Sequence, residues 1–499
     1  MMSRRRLLQA SAAAGVSLAV APGRAPAFVR SRPVITHGIQ SGDVAARSGV
    51  VWTRADRPSR MLVQLLERGS RRWIEGPVVT DRTDFTGKVR LVGLEPGRRV
   101  EYRVRLQDLR NPAVLSEPQR GSFRTAPADR RDVSFVWSAD IAGQGWGINP
   151  DLGGYRIFRS MAAVRPDFFL CSGDTIYADN PLTETVALPD GRTWRNLVTP
   201  AKTKVAESLD EFRGQFAYNL LDDNLRAFAA RVPQLNQWDD HEVFNNWYPG
   251  EVIDDARYTE RRVDVLAARA RRAFFEWLPI GSRRIYRKVS YGPLLDLFLL
   301  DMRTYKDPND ANVYVDPRRG LLGREQRQWL KRELAASRAT WKVIANDLPL
   351  GVVVPDGPTA HAGVAQSEPG APLGRELEFA DVLRFAHRRG VGGIVLVTAD
   401  VHYTAAHRYH PARAAFQDFD PFWEFVSGPL NAGAFGPNAL DATFGPQVVF
   451  ARTPPAPNTS PADGYQHFGH VTIDAGSRVM TVKLRDIDGR SLFSVDLRP

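Results

Sequence analysis

Six strand-like apolar runs each end in an acidic or polar residue. Val133-Ser134-Phe135-Val136-Trp137 leads to Asp140, and Phe168-Phe169-Leu170-Cys171 leads to Gly173-Asp174. Val232-Pro233-Gln234-Leu235 approaches Asp239-Asp240-His241-Glu242. Leu295 to Leu300 ends at Asp301, Trp341 to Ala345 at Asn346-Asp347, and Ile394 to Val397 at Asp400-Val401-His402. Taken singly, an aspartate after a strand caps the next helix. Taken together at the carboxyl ends of one sheet, where open α/β folds bind ligands, so many carboxylates would repel one another. Cations offset that cost, because buried unpaired charge is expensive. Carboxylates with imidazole suit two neighbouring cations, about 3.5–4 Å apart in two-metal hydrolases. Such cations polarise a phosphoryl oxygen and bring the pKa of bound water from about 15.7 to about 7. One aspartate must bridge them, and Asp174 is the choice, since Gly173 before it allows close backbone approach. His241 is expected over the substrate, donating a proton to the leaving alkoxide or binding a phosphate oxygen.

These residues need rigid elements behind them. From Phe28 to about Ala126 the chain reads as short strands, among them Val50-Val51-Trp52-Thr53 and Val100-Glu101-Tyr102-Arg103-Val104. Leu94-Glu95-Pro96-Gly97 followed by Tyr102 resembles the corner of an immunoglobulin- or fibronectin-like sandwich. Thr125 to Asp129 reads as a linker. Beyond it, apolar runs alternate with helical segments: Tyr155 to Val164, Ser208 to Ala229, Asp254 to Trp277, Arg324 to Arg338 and Glu376 to Arg389. That alternation predicts an α/β layered domain. The expected organisation is a signal peptide over 1–27, a β-sandwich over 28–127 and a catalytic domain over 128–499.

With 499 residues and 43% hydrophobic content, the chain can bury a sizeable core. Its net charge of +11 comes mainly from scattered arginines. No basic run interleaved with aromatics follows a nucleic-acid backbone. A single cysteine excludes an intramolecular disulfide. Ser3-Arg4-Arg5-Arg6-Leu7-Leu8 before a short apolar stretch ending at Ala25-Pro26-Ala27 reads as a twin-arginine export signal with an A-x-A cleavage site. It is too short to anchor the chain in a bilayer. The expected partner is the twin-arginine translocase, and the expected location is periplasmic or secreted.

Four ordered stretches carry a more specific resemblance: Gly173-Asp174-Thr175-Ile176-Tyr177, Trp238-Asp239-Asp240-His241-Glu242-Val243, Leu300-Asp301-Met302-Arg303-Thr304-Tyr305 and Ala399-Asp400-Val401-His402. With Thr36 to Asp43 near the start and Phe425 to Leu430 late in the chain, they resemble the alkaline phosphatase D family of calcineurin-like metallophosphoesterases. The resemblance implies an α/β/β/α sandwich preceded by the β-sandwich. It implies that Asp174 bridges the metals, that Tyr177 supplies a phenolate to iron, and that Asp240, Asp400 and His402 are further ligands, with His241 catalytic. It also implies iron(III) joined by calcium, with zinc or manganese as alternatives. One departure stands out. The family's first motif reads Ser-Cys-Gln with an iron-binding cysteine; here it is Ser138-Ala139-Asp140, and Asp140 is the expected replacement ligand.

Other residues have weaker claims. Arg303 could clamp a phosphate oxygen or form a structural ion pair. Asn346 is a candidate substrate contact. Cys171 reads as a small buried hydrophobe, and His407 is expected at the surface. The implied activity is hydrolysis of phosphate esters, monoesters or diesters, by metal-activated hydroxide without a covalent intermediate. A phospholipase D-like action on lipid headgroups and a non-catalytic metal- or phosphate-binding envelope protein are the alternatives.

Overall fold

The computed structural model describes residues 32–66, 73–316 and 318–499. The expected signal peptide lies outside them. Residues Pro33–Pro499 form one compact unit.

Two large sheets dominate. The nine-stranded sheet runs Ser491–Leu497, Met480–Asp486, His467–Ile473, Val133–Ser138, Phe168–Cys171, Gln234–Asn236, Ile35–Gly42, Ser48–Ala55 and Thr86–Val92. The seven-stranded sheet runs Arg287–Tyr291, Leu295–Leu299, Trp341–Ala345, Ile394–Thr398, Phe422–Val426, Thr404–Tyr409 and Pro446–Arg452. The strands that precede the candidate acids are parallel within each sheet.

The apolar runs follow from burial on both faces. Phe135, Trp137 and Leu170 point inward and share one core with Leu297, Val343 and Val395 of the facing sheet. Val136, Phe169 and Cys171 point outward under Phe158, Phe212, Phe228 and Phe274, which the helices Ile157–Ala163, Leu209–Asn219, Asp223–Ala229 and Val263–Trp277 supply. On the other side Phe298, Ile344 and Leu396 pack under the helices Gly323–Ala336 and Glu376–Arg388. The order of layers is therefore α/β/β/α, as the resemblance implied. Ser208 to Ala229 is two helices rather than one. The chain turns at Leu220 to Asp222, and the Asp222 carboxylate caps the second helix by accepting from the Leu225 N–H at 2.8 Å.

The N-terminal strands form a sandwich. Trp73–Val79, Ser59–Leu65, Arg99–Asp108 and Gln119–Arg124 make a four-stranded sheet, and Met61, Val63, Val104 and Leu106 close on Val51, Val89 and Leu91. Its second sheet is not separate: Ile35–Gly42 lies parallel to Gln234–Asn236, with Gly42 opposite Gln234. Only glycine fits there, because a Cβ would lie 2.6 Å from the carbonyl oxygens of both Gln234 and Pro279. The half-buried Arg287 guanidinium pins the junction, 2.7 Å from the Asp43 carboxylate, while its Nη1 donates to the Asn236 carbonyl.

Candidate metal centre

The acids that end the parallel strands converge. Asp140, Asp174 and His402 can offer ligand atoms within 4.8 Å of one another, as can Asp174, Asp240 and His241, and Asp239, Asp240 and Asp400. Asp174 belongs to two of these groups, and so does Asp240. The backbone takes an unusual form to present them. Asp140, Asp174, Asp400 and His402 have φ of 62°, 46°, 63° and 60°. Each such left-handed residue costs about 1–2 kcal/mol, and a cluster of them marks a functional site. Gly173, at φ 108°, is the hinge that permits Asp174: a Cβ there would stand 2.4 Å from that of Asp239.

Each site carboxylate has a different environment. Both Asp140 oxygens are sealed from water without a hydrogen-bond partner. Burial, then the charge of Asp239, pushes its pKa well above the ordinary range. Burial and Asp240 do the same to Asp174, and burial and Asp239 to Asp400. Burial also opposes ionisation of Asp240, but His241, Arg303 and the Asn246 N–H at 2.6 Å outweigh it and hold this carboxyl low. Protons or cations must relieve such a cluster. The unpartnered oxygens of Asp140 and the mixture of carboxylate, imidazole and phenol fit hard or borderline cations.

The two histidines are fixed in complementary ways. His402 Nδ1 donates to the Gly433 carbonyl at 2.6 Å, so its Nε2 is an acceptor, 3.0 Å from the Tyr177 hydroxyl and 3.7 Å from Asp140. Burial lowers its pKa to about 4, keeping it neutral and ready to ligate. His241 instead turns Nδ1 to Asp179, at 2.8 and 3.0 Å from the two carboxylate oxygens. Burial opposes its charge, yet Asp179 and Asp240 raise its pKa to about 9. The Tyr177 ring stacks on His241 at 4.2 Å. Burial and the charge of Asp174 push the Tyr177 phenol well above its usual range, so a phenolate there needs a cation.

A cavity of about 620 Å³ opens over this cluster. Asp174, Asp240, His241, Asp400 and His402 line it, while Val353, Val354, Pro355, Phe435 and Pro437 form an apolar wall. Asp140 and Tyr177 lie beneath, within the ligand cluster rather than on the cavity surface.

Two candidates lie elsewhere than the cavity. Arg303 is fully buried and ties together Asp239 at 2.6 Å, Asp400 at 3.2 Å and Asp240 at 3.8 Å. It forms the structural ion pair and organises these carboxylates, while its Nη1 has no hydrogen-bond partner. Asn346 is also fully buried, and neither atom of its amide finds a partner or reaches the cavity wall. Asp301 has a structural role in the turn after its strand: it accepts from Trp238 Nε1 and from the Thr304 N–H and hydroxyl. Cys171 is a core residue, and burial raises its thiol to about 12. His407 corrects the surface expectation. It is 1% exposed, because Thr404–Tyr409 is buried at every position but Arg408 and His407 faces the buried Glu424 at 3.5 Å.

Sequence reasoning missed three supports. Asp179 orients His241. Glu242 accepts from the N–H groups of Asp174, Thr175 and Asp239 at 3.2, 2.6 and 2.7 Å, tying two ligand loops together. Asp239 is the acceptor that anchors Arg303. Position in a motif was the only signal for Glu242 and Asp239. Asp179, five residues beyond Asp174 in a loop, had none.

Comparison with known proteins agrees with this geometry. A family model described as PhoD-like phosphatase matches residues 135–484, and one for the N-terminal domain of PhoD-like phosphatases matches residues 20–127. Alkaline phosphatase D of Bacillus subtilis (strain 168) is 27% identical over 405 residues. That match spans 75% of this chain and 65% of the relative, a little under two thirds of its length. Among solved structures, PhoD superposes with a TM-score of 0.68 at 22% identity, covering 95% of this chain and 90% of its own. A purple acid phosphatase from yellow lupin (Lupinus luteus) seeds gives 0.58 at 13% identity, covering 94% and 74%. The shared fold and the match over most of the chain lead to one conclusion: this protein belongs to the PhoD-like phosphatase family.

Proposed function

We propose that this chain is an exported, metal-dependent phosphoesterase that hydrolyses phosphate esters at the Asp174–His241 cavity. The observation that carries the reading is His241, held by Asp179 over a cavity whose floor is a cluster of under-neutralised carboxylates. The membership of the family and the alkaline phosphatase activity named for the Bacillus relative support it. The resemblance favours iron(III) and calcium; zinc or manganese would suit the same donors. The family-model bounds support a boundary near residue 127 between sandwich and catalytic region.

Asp140, Asp174, Tyr177, Asp240, Asp400 and His402 would hold the cations, with Asp174 shared between two of them. Bound there, cations supply Lewis acidity toward the phosphoryl oxygens and acidify a water. The protein does the rest. The left-handed backbone at four positions aims the ligands without further movement. Asp179 accepts from His241 Nδ1–H and so leaves the Nε2–H to face the substrate, where it can protonate the leaving oxygen. The apolar wall excludes water from one side of the phosphorus.

The cavity lining favours diesters over monoesters. Among the described residues it holds no lysine or arginine, and of its two histidines burial keeps His402 neutral, leaving His241 as the charged one. Beyond the cations, the side chains of the lining offer only His241 to balance the second charge of a monoester dianion. A diester has one charge and a second substituent that suits the wall of Val353, Val354 and Phe435.

The test is elemental analysis of the folded protein beside hydrolysis of bis-p-nitrophenyl and p-nitrophenyl phosphate. Bound metal, chelator-sensitive turnover that Asp174→Ala abolishes, and preference for the bis ester are expected. Folded protein with no stoichiometric metal and no turnover of either ester would leave only a binding role.

A further inference from the structure

A second cleft, of about 670 Å³, lies where the sandwich meets the catalytic layers. Arg99 and Arg124 reach it from the sandwich strands, Arg159 from within the helix Ile157–Ala163, Arg165 from just past that helix, and Arg231 from beyond the helix Asp223–Ala229. All five are exposed, and the only carboxylate in the lining is Asp167.

The existing partners balance only part of this charge. Arg124 stands 3.5 Å from Asp167 and donates to the Gly97 carbonyl, Arg99 stands 3.5 Å from Glu101 and donates to the Ser122 hydroxyl at 3.0 Å, and Arg159 donates to the Asn224 amide oxygen at 2.5 Å. Among the described residues the Arg165 and Arg231 side chains have no partner. Like charges crowded into a concave surface repel, and the local potential concentrates anions. Arg165 adds a second oddity. It follows a helix with φ 51° and precedes Pro166, a conformation usually given to glycine and one that a following proline further disfavours.

The cleft is not a subsite of the metal centre. Pro166, Asp167 and Val232 precede the parallel strands Phe168–Cys171 and Gln234–Asn236, whereas Asp174 and Asp240 follow them. The two openings therefore lie at opposite ends of one sheet.

We propose that this cleft binds a ligand carrying two or more tetrahedral oxyanion groups, independently of catalysis. The planar guanidinium fork matches such groups bidentately and keeps its charge at any pH the enzyme meets. Phosphate groups of a free small molecule and of an anionic lipid headgroup share this chemistry.

Binding is measured calorimetrically with myo-inositol hexasulfate, which a phosphoesterase does not consume, and by co-sedimentation with phosphatidylglycerol vesicles. The full-length wild type is expected to bind at least one probe, more weakly as salt rises from about 50 to about 200 mM. Arg159→Gln/Arg165→Gln/Arg231→Gln should weaken that binding by about tenfold or more, with bis-p-nitrophenyl phosphate turnover within about twofold of wild type. The control Arg261→Gln/Arg283→Gln/Arg338→Gln removes the same charge elsewhere and should leave binding within about twofold. Hexasulfate binding alone would identify a free anion, and vesicle binding alone a lipid headgroup; either supports the site. Equal weakening by the control triple, or no binding of either probe by the wild type, would overturn it.

Discussion

Asp179 holds the imidazole of His241 through Nδ1, at 2.8 Å, from the same loop that supplies Asp174. The carboxylate fixes which nitrogen faces the cavity and, together with Asp240, keeps the ring charged against the cost of burial. Asp179→Asn should therefore reduce kcat about 10–100-fold with little change in KM. Removing a negative charge also lowers the imidazole pKa. The alkaline limb of the pH–rate profile, where the acid loses its proton, should move to lower pH. A kcat loss without that displacement would assign Asp179 a purely structural role.

Asp140 offers a test of the metal set. Its two oxygens have no hydrogen-bond partner in the protein, and burial pushes its pKa well up, so without cations its charge is disfavoured. Asp140→Asn should leave the chelated protein's Tm unchanged. The stabilisation that metal gives the wild type, about 2.7 kcal/mol at a hundredfold excess over Kd, should shrink or vanish. Differential scanning calorimetry with and without chelator reads both quantities.

Arg303 is the counter-charge behind the cluster. Arg303→Met would strand Asp239 and Asp400 without it, and removing one partner of a buried pair costs about 3–5 kcal/mol. Urea denaturation of the chelated protein should show that loss. Added metal should recover part of it, since cations can take over the neutralisation.

Glu376 predicts a pH-dependent stability unconnected with the metals. Burial, then the neighbouring Asp441, raises its carboxyl to about 8. The folded state thus holds a proton that the unfolded chain releases above about pH 4.5. The stability this proton supports is complete below that value and is lost as pH rises to about 8. Glu376→Gln should leave the Tm at pH 5 unchanged and raise it at pH 9. An unaltered slope in the variant would place the pH dependence elsewhere.

Much of the site was legible because burial on both faces makes the parallel strands read as apolar runs, and their ends are then visible as the first acids. Asp140, Asp174, Asp240 and Asp400 were found that way and do converge. Side-chain direction was less legible. Nothing in Asp301-Met302-Arg303 says that the guanidinium turns inward to Asp239, and nothing in Thr404–Tyr409 marked His407 as buried until the strand had partners on both edges. Asp179 was hidden because a loop has no period to read. The pairing of Gly42 with Gln234 joins positions far apart in the chain, and the spacing of neither reveals it.

That pairing changes what the sandwich is. Ile35–Gly42 covers the edge of Gln234–Asn236, the short strand that delivers Asp239, Asp240 and His241. Removing the residues up to 127 would thus bare a polar strand edge just ahead of the Asp239–His241 loop, inviting aggregation and loosening the support of His241. The N-terminal segment thus buttresses, at one remove, the strand that carries Asp239, Asp240 and His241, and loosening that support should be felt first as lost turnover.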